Sequence, residues 1–235
     1  MLAGRRVLRP NLRGHAGGRS RTPAGMREWC ADLAALLDAE RAERAVVVGH
    51  CMGANVAARF AARYPARTES VVLVEPMPRD ALIGSLAALK HVRFLFSLAG
   101  AAALALNGLG LYREKLPPMN LEQWDKAVEQ GEIPLDEFAS PLSDLRTTPS
   151  AGYFLSVAAV FEPLPASLAC PVLAMISRNS TMTDPARTRA ALEKLGKVEI
   201  LALDAEHWIP TEQPHAMGAA IESWLVRMRA PEKGP

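Results

Sequence analysis

The chain has 235 residues, of which 49% are hydrophobic, and this is enough to bury one sizeable core. Its formal net charge of +2, with 22% charged residues, gives no electrostatic reason to expect a nucleic-acid partner. The three cysteines lack metal-like spacing, which argues against a disulfide framework or a metal site and favours a reducing compartment. We therefore expect a cytoplasmic protein that acts on a small molecule, without a metal or cofactor.

The N-terminal segment 1–27 is rich in arginine and contains no acidic residue, as in an organellar transit peptide. The stretch 6–10, followed by Asn11-Leu12-Arg13-Gly14-His15, is instead typical of a strand and a loop. We therefore predict that this segment belongs to the folded chain.

Short β-branched runs alternate with helical segments along most of the sequence. The predicted strands are 46–48, 71–74, 172–176 and 198–203, and the predicted helices are 54–63, 186–195 and 216–226. Asp184-Pro185 and Gln213-Pro214 each place a proline at the first position of a helix. This alternation predicts an α/β fold in which helices flank a mostly parallel sheet.

The rhythm changes between the two core segments, 1–76 and 166–230, where residues 77–165 show no clear strand pattern. We interpret 77–165 as an inserted helical cap and 231–235 as a tail. Within the cap, residues 94–112 carry no charge and lie between Arg93 and Arg113, so their length would allow a membrane span. Interspersed Ala, Gly, Ser97 and Asn107 favour helices that line an apolar pocket instead, and membrane attachment is the weaker interpretation.

Cys51 lies at the centre of Gly49-His50-Cys51-Met52-Gly53, between a Val-Val-Val strand and a helix rich in small residues. The flanking glycines suit a strained turn that projects the thiol above the sheet. At a helix N-terminus the backbone amides favour a thiolate, and the N–H of Met52 becomes a candidate oxyanion donor. The alternative is a buried cysteine in an ordinary strand-to-helix turn.

His207 is the strongest candidate base among the five histidines, because it follows the strand 198–203 at the end of the sheet where ligands collect. The other four have structural interpretations. His50 belongs to the turn and His15 to a glycine loop, whereas His91 and His215 lie in helical contexts.

Taken in order, Arg13-Gly14-His15, the 49–53 turn, Leu73-Val74-Glu75-Pro76, Cys170-Pro171-Val172-Leu173 and Glu206-His207-Trp208 resemble the α/β-hydrolase family. The resemblance implies a nucleophile, histidine and acid triad, with Cys51 as nucleophile where most relatives carry serine, and His207 as general base. The cysteine also looks like that of dienelactone hydrolases and polyhydroxyalkanoate synthases, although the surrounding residues match neither closely.

The acid of the triad is left open by the sequence. The family's usual aspartate position, in the loop after strand 172–176, is occupied here by Ser180. Glu75, at the end of strand 71–74, is the preferred substitute, with a plain turn residue as the alternative. Asp184 fits a helix N-cap better than a catalytic acid. Asn179 could orient His207 as an asparagine does in papain-like sites, or a cysteine nucleophile could need no acid.

The stretch 6–10 resembles the family's fourth strand, which implies an N-terminally truncated α/β-hydrolase fold without the first three strands. In the family, the loop after the third strand supplies the second oxyanion donor, and losing one donor costs ~100-fold to 1000-fold in rate. The edge of the sheet would be exposed unless residues 6–10 pair with 46–48.

Two functions follow from these patterns. The first is acyl transfer, in which Cys51 attacks an ester or thioester of a small or apolar substrate and His207 moves the proton. The second is a non-catalytic or degenerate member of the fold that retains only binding. The oligomeric state is not indicated by the sequence.

Overall fold

A computed structural model describes residues 4–15, 24–111, 126, 130 and 148–229. The described residues divide into two compact units, the first within Met1–Arg9, Arg44–Met77 and Pro165–Pro235, and the second within Pro10–Glu43 and Pro78–Leu164. These units differ from the predicted core and cap in assigning residues 10–43 to the second unit. The predicted tail 231–235 lies outside the described residues.

The first unit contains a four-stranded parallel sheet in the order β1-β2-β3-β4, counted over the described part of the chain. Its strands are β1 (Ala45–His50), β2 (Thr68–Val74), β3 (Val172–Ser177) and β4 (Val198–Leu203). The runs of valine, isoleucine and leucine suit strands buried on both faces, and every residue of β3 is buried. All four strands were predicted from the sequence.

Helices alternate with the strands along the first unit, as expected, and further helices make up the second unit. In chain order the described helices are α1 (Met26–Ala39), α2 (Met52–Arg63), α3 (Gly84–Leu89), α4 (Arg93–Gly108), α5 (Ser150–Val160), α6 (Pro185–Leu192), α7 (Ile209–Glu212) and α8 (Pro214–Arg229). Short 3-10 turns occupy Pro65–Arg67, Arg79–Ala81, Lys90–Val92 and Glu193–Leu195. The predicted proline starts of α6 and α8 are confirmed.

The core of the first unit forms where α8 packs on the sheet. Trp224 and Leu225 of α8 contact a cluster that includes Val72 of β2 and Leu173 and Met175 of β3. Burying such side chains stabilises the fold by about 1.5 to 3 kcal/mol each. This packing fixes the carboxyl ends of the strands, where the candidate site residues lie.

The predicted strand at residues 6–10 is wrong, because the structure has no strand there and none pairs with β1 on its outer side among the described residues. The segment is mostly exposed, and Val7 is 54% exposed. A stretch with arginines at positions 6 and 9 and a proline at 10 offers no apolar face to bury, which explains the failure. In the part of the chain that the structure describes, the outer edge of β1 therefore has no partner strand, and Val48 is 49% exposed.

The second unit is helical in its described residues. Helices α4 and α5 pack closely at Gly100, where a Cβ atom would meet Leu155 Cγ at 2.6 Å. The helical run Gly84–Gly108 is long and apolar enough to cross a membrane by length and composition, and its most apolar window is only 11% buried. One such helix is weak support for a membrane span, because core helices can pass the same test. The unit also has a partly open pocket of about 300 Å³, lined mainly by residues of α4 and α5.

Candidate active site

Cys51 occupies a strained turn between β1 and α2. Its φ of 54° and ψ of −123° lie in the left-handed half of backbone space, which a residue with a side chain rarely adopts. The turn is held in place because the Cys51 N–H donates to Val74 O of β2 at 2.9 Å, and the Ala54 N–H donates to Cys51 O at 3.0 Å. This is the strand, turn and helix context that projects a nucleophile from the end of a sheet.

The two glycines flanking Cys51 have different structural roles. A Cβ atom on Gly49 would lie 2.1 Å from Gly53 O, so only glycine allows the start of α2 to cross the end of β1. A Cβ atom on Gly53 would meet no atom within 4 Å in the described structure. The expectation that both glycines make room for the turn therefore holds for Gly49 alone.

The Cys51 thiol lies at the N-terminus of α2, where the amide of Met52 has no acceptor within the helix. Its Sγ atom lies 3.1 Å from Sδ of Met77, and Met77 is 3% exposed. The Asn55 side chain fixes the backbone of Met77 from both sides, since Asn55 Nδ2 donates to Met77 O at 2.9 Å and the Met77 N–H donates to Asn55 Oδ1 at 3.0 Å.

His207 lies in the loop after β4, and one carboxylate organises that loop. Glu212 of α7 accepts hydrogen bonds from three successive backbone amides, those of Glu206 at 2.8 Å, His207 at 3.2 Å and Trp208 at 2.6 Å. Hydrogen bonds to an ionised group are stronger than neutral ones, so this arrangement fixes the backbone from which the imidazole projects.

Glu75 contacts the imidazole of His207 directly. Glu75 Oε2 lies 3.1 Å from His207 Nδ1, and both side chains are only 1% exposed. Glu75 directly follows β2, has a positive φ of 47°, and is anchored because its N–H donates to Met175 O of β3 at 2.8 Å. The left-handed backbone conformation of Glu75 directs its side chain toward His207, at the same edge of the sheet as Cys51.

The electrostatics of His207 reflect both neighbours. Burial acts to lower the pKa of His207, but hydrogen bonds and charge interactions with Cys51 and Glu75 outweigh burial and raise the pKa to about 9. The Nε2 atom is buried and has no hydrogen-bond partner of good geometry among the described residues. The Cys51 thiol is close enough to His207 to raise its pKa, but it does not form an aligned hydrogen bond with Nε2.

His50 has a supporting position beside His207. Its Nε2 donates to the backbone O of His207 at 3.0 Å, and its ring centroid lies 5.3 Å from that of His207 and 5.4 Å from that of Trp208. Burial lowers the pKa of His50 to about 4. A neutral ring that donates to a carbonyl is a structural element, as expected for a residue of the turn.

The other candidate residues contact different partners. Asp184 is the N-cap of α6 and accepts from the Arg187 N–H at 2.8 Å, and the Asn179 side chain donates to Asp204 at 3.1 Å instead of contacting His207. His91 and His215 lie in helical segments, and His15 contacts Ser156 within the second unit. The structure therefore brings Cys51, Glu75 and His207 to one edge of the sheet.

Several contributors to this site were not predicted. Glu212 and Met77 act through contacts that no local pattern reveals, whereas Asn55 carried a usable signal, a single amide in the alanine-rich start of α2. Ser180 was noted only for the carboxylate it lacks, yet its hydroxyl donates to Glu75 Oε2 at 3.0 Å. The backbone N–H of Ser177 donates to the other carboxylate oxygen of Glu75.

Comparison with known proteins gives a consistent assignment of the fold. The chain is similar to a hydrolase from Pseudomonas aeruginosa PA01, with 23% identity and a TM-score of 0.62 over 92% of this chain and 77% of that one. It is similar to a thermophilic esterase from Thermogutta terrifontis, with 19% identity and a TM-score of 0.62 over 93% and 79% of the two chains. It is also similar to the enol-lactonase from Burkholderia xenovorans LB400, with 20% identity and a TM-score of 0.60 over 92% and 79%.

The comparison with curated proteins finds no match. The sequence profile described as "Alpha/beta hydrolase family" matches residues 1–220, which is most of the chain. The parallel sheet, the strained turn at Cys51 and the histidine loop after β4 agree with that match. The chain therefore belongs to the α/β-hydrolase family.

Proposed function

We propose that this chain is an acyl-transfer enzyme that hydrolyses an ester or thioester of a small or apolar substrate, with Cys51 as nucleophile, His207 as general acid and base, and Glu75 as the acid of the triad. The observation that carries the proposal is the buried contact between Glu75 and His207 beside Cys51. In this proposal the attacking group is the thiolate of Cys51, because the thiolate is the reactive form of cysteine.

In the acylation step, the Cys51 thiolate attacks the carbonyl carbon, a carbon–sulfur bond forms, and the π electron pair moves to the carbonyl oxygen. The N–H of Met52 stabilises this oxyanion as a hydrogen-bond donor. Collapse of the tetrahedral intermediate breaks the bond to the leaving alkoxide or thiolate, which takes the Nε2 proton of His207 and departs as an alcohol or thiol. The acyl group is then held as a thioester on Cys51.

In the deacylation step, neutral His207 accepts a proton from water while the water oxygen attacks the thioester carbonyl. The second tetrahedral intermediate expels the Cys51 thiolate and releases a carboxylic acid. Glu75 stabilises the imidazolium that forms in each half of the cycle and fixes the Nδ1 proton. An alcohol or amine in place of water would give transfer instead of hydrolysis.

The direct test is turnover of p-nitrophenyl acetate and p-nitrophenyl butyrate by the purified chain. We expect Cys51→Ala to lower kcat/KM at least ~100-fold, because the acyl intermediate cannot form. Cys170→Ala, which removes a buried thiol outside the site, is the matched control and should keep the activity. Mass spectrometry of the reacting enzyme should show one acyl group on the Cys51 peptide. Turnover that is unchanged in Cys51→Ala would contradict the proposal.

The competing proposal is a non-catalytic member of the family that only binds a ligand. It is favoured by the outer edge of β1, which has no partner strand among the described residues, and by a single predicted oxyanion donor. An absence of turnover above background, together with normal folding, would support this second function.

We further propose that the chain acts in the cytoplasm without attachment to a membrane. The three cysteines, all of which the structure describes, form no disulfide, as suits a reducing compartment. Recovery of the expressed chain in the soluble fraction without detergent would agree with this proposal. Recovery only in the membrane fraction would contradict it and would direct attention to Gly84–Gly108.

A further inference from the structure

The Glu75 carboxylate has a defined partner for each of its oxygens. Oε1 accepts a hydrogen bond from the backbone N–H of Ser177, and Oε2 faces both the Ser180 hydroxyl at 3.0 Å and His207 Nδ1 at 3.1 Å. An ionised carboxylate can accept all three bonds, because it has two oxygens and about four lone-pair positions. Glu75 is thus held from the β3 side as well as by its own strand.

The direction of the Ser180 hydroxyl follows from its other contacts. The backbone N–H groups of Met182 and Thr183 approach Ser180 Oγ at 3.4 and 3.3 Å, so both act as donors to this oxygen. The single hydroxyl hydrogen then has two acceptors in reach, Glu75 Oε2 at 3.0 Å and Thr183 Oγ1 at 3.3 Å. The shorter contact to a charged oxygen is the stronger of the two.

We propose that Ser180 is a positioning residue that aims the Glu75 carboxylate at His207, and that positions 75 and 180 together accommodate a single carboxylate. The inference rests on the proposed function for its catalytic meaning. An aspartate at position 180 would lie beside Glu75 in the space that the hydroxyl now occupies. Two carboxylates at such a distance cannot both ionise, so one must bind a proton or turn away.

Ser180 occupies the position at which the family resemblance led us to expect an acid. The family resemblance identifies it as the position that lacks an acid, whereas the contacts assign it the role of a donor to the acid at position 75. Here the acid follows β2 and its hydroxyl donor lies in the loop after β3. Because both positions act on one carboxylate, we expect them to be coupled, so that their substitutions do not act independently.

The test measures the NMR titration of the His207 imidazole and the rate at which iodoacetamide alkylates Cys51, neither of which requires turnover. In Ser180→Ala we expect the His207 midpoint to fall by ~0.5 to 1 unit and alkylation near neutral pH to slow ~3-fold to 10-fold, because the Glu75 carboxylate, no longer held by the hydroxyl, turns away from Nδ1 and stabilises the imidazolium less. Ser180→Thr keeps the hydroxyl and should remain within ~2-fold of the wild type.

The second arm tests the coupling. Ser180→Asp alone should slow alkylation ~10-fold or more, and so should Glu75→Gln alone, whereas Glu75→Gln with Ser180→Asp should recover most of the lost rate, because a single carboxylate is restored. A recovery would support the inference even if Ser180→Ala failed to fold. If the loss of alkylation rate in the double variant equals the product of the losses in the two single variants, the positions are independent and the inference is overturned.

The outcome is separable from that of the proposed function. If the chain does not turn over p-nitrophenyl esters but the His207 midpoint and the alkylation rate respond as described, the positioning role stands and the hydrolase assignment fails. If esters are hydrolysed and Ser180→Ala shifts neither readout, Ser180 is only a loop residue and the inference fails. Thermal unfolding of each variant distinguishes a local effect from a loss of fold.

Discussion

Glu75 Oε2 and His207 Nδ1 lie 3.1 Å apart although the two residues are separated by 132 positions in the sequence. The contact assigns a proton to Nδ1, because a carboxylate can only accept. In the proposed mechanism, Nε2 is then the atom that exchanges protons with Cys51 and with a substrate. The tautomer required for a general base is therefore fixed by one buried hydrogen bond.

The first prediction concerns Glu75→Gln. Glutamine has only one acceptor oxygen, and when that oxygen accepts from the Ser177 N–H, the NH2 group faces Nδ1. The imidazole would then adopt the wrong tautomer and lose its stabilising charge. We expect kcat/KM for p-nitrophenyl butyrate to fall ~100-fold to 10,000-fold with little change in KM. Glu206→Gln alters an exposed carboxylate next to His207 and should keep the wild-type rate.

The second prediction concerns the pH dependence of stability. The pKa of His207 is raised from 6.5 to about 9, so above pH ~6.5 the folded chain keeps a proton that the unfolded chain has lost, and stability falls until pH ~9. The pKa of His50 is lowered from 6.5 to about 4, so below pH ~6.5 the unfolded chain binds a proton that the folded chain does not, and stability falls toward pH ~4.

Urea unfolding between about pH 4 and 9 measures both slopes. His207→Gln should flatten the alkaline slope and leave the acidic one, and His50→Phe should do the reverse. Slopes that persist in both variants would show that other groups control the pH dependence.

The third prediction concerns Glu212, which holds three backbone amides of the histidine loop. In Glu212→Gln the acceptor loses its charge and one of its oxygens, so we expect the free energy of unfolding to fall by ~1 to 2 kcal/mol. Glu193→Gln, an exposed change in a 3-10 turn, should fall within ~0.5 kcal/mol of the wild type. Equal stability of the two variants would contradict the assignment.

The fourth prediction compares the two glycines around Cys51. Gly49→Ala places a methyl group 2.1 Å from Gly53 O, a backbone atom that cannot move without displacing α2, so we expect a loss of ~3 kcal/mol or more and loss of activity. Gly53→Ala meets no described atom within 4 Å and should be neutral or slightly stabilising, because alanine favours helix. Chemical denaturation of the pair provides the comparison.

Most of the sheet was predictable because its strands carry uninterrupted β-branched runs and its helices begin at Asp-Pro and Gln-Pro signals. The strand predicted at residues 6–10 was wrong because the prediction relied on a resemblance to a family strand, although the segment contains two arginines and has no apolar face to bury. Helix α1 was not predicted, although Met26, Trp29, Cys30 and Leu37, which the structure buries, recur with helical spacing.

The residues of the site were predictable to different degrees. Cys51 directly follows β1 and His207 lies in the short loop after β4, so their placement depends mainly on the order of strands. The contacts of Glu75 depend on register between β2 and β3, and Ser180 is separated from Glu75 by 105 positions. No local pattern encodes such a contact. The role of Glu212 was likewise not predictable, because its hydrogen bonds to the amides of residues 206–208 depend on how the loop after β4 folds against α7.

The strand ends are tied to one another in sequence, from Cys51 to Val74, from Glu75 to Met175, and from Ser177 back to Glu75. These bonds join parallel strands, whose long connections form slowly in folding. Of the three residues proposed for the site, Cys51 and Glu75 lie in the first third of the chain, whereas His207 follows β4. During synthesis, Cys51 and Glu75 therefore leave the ribosome well before His207, and the proposed site cannot assemble until β4 is in place.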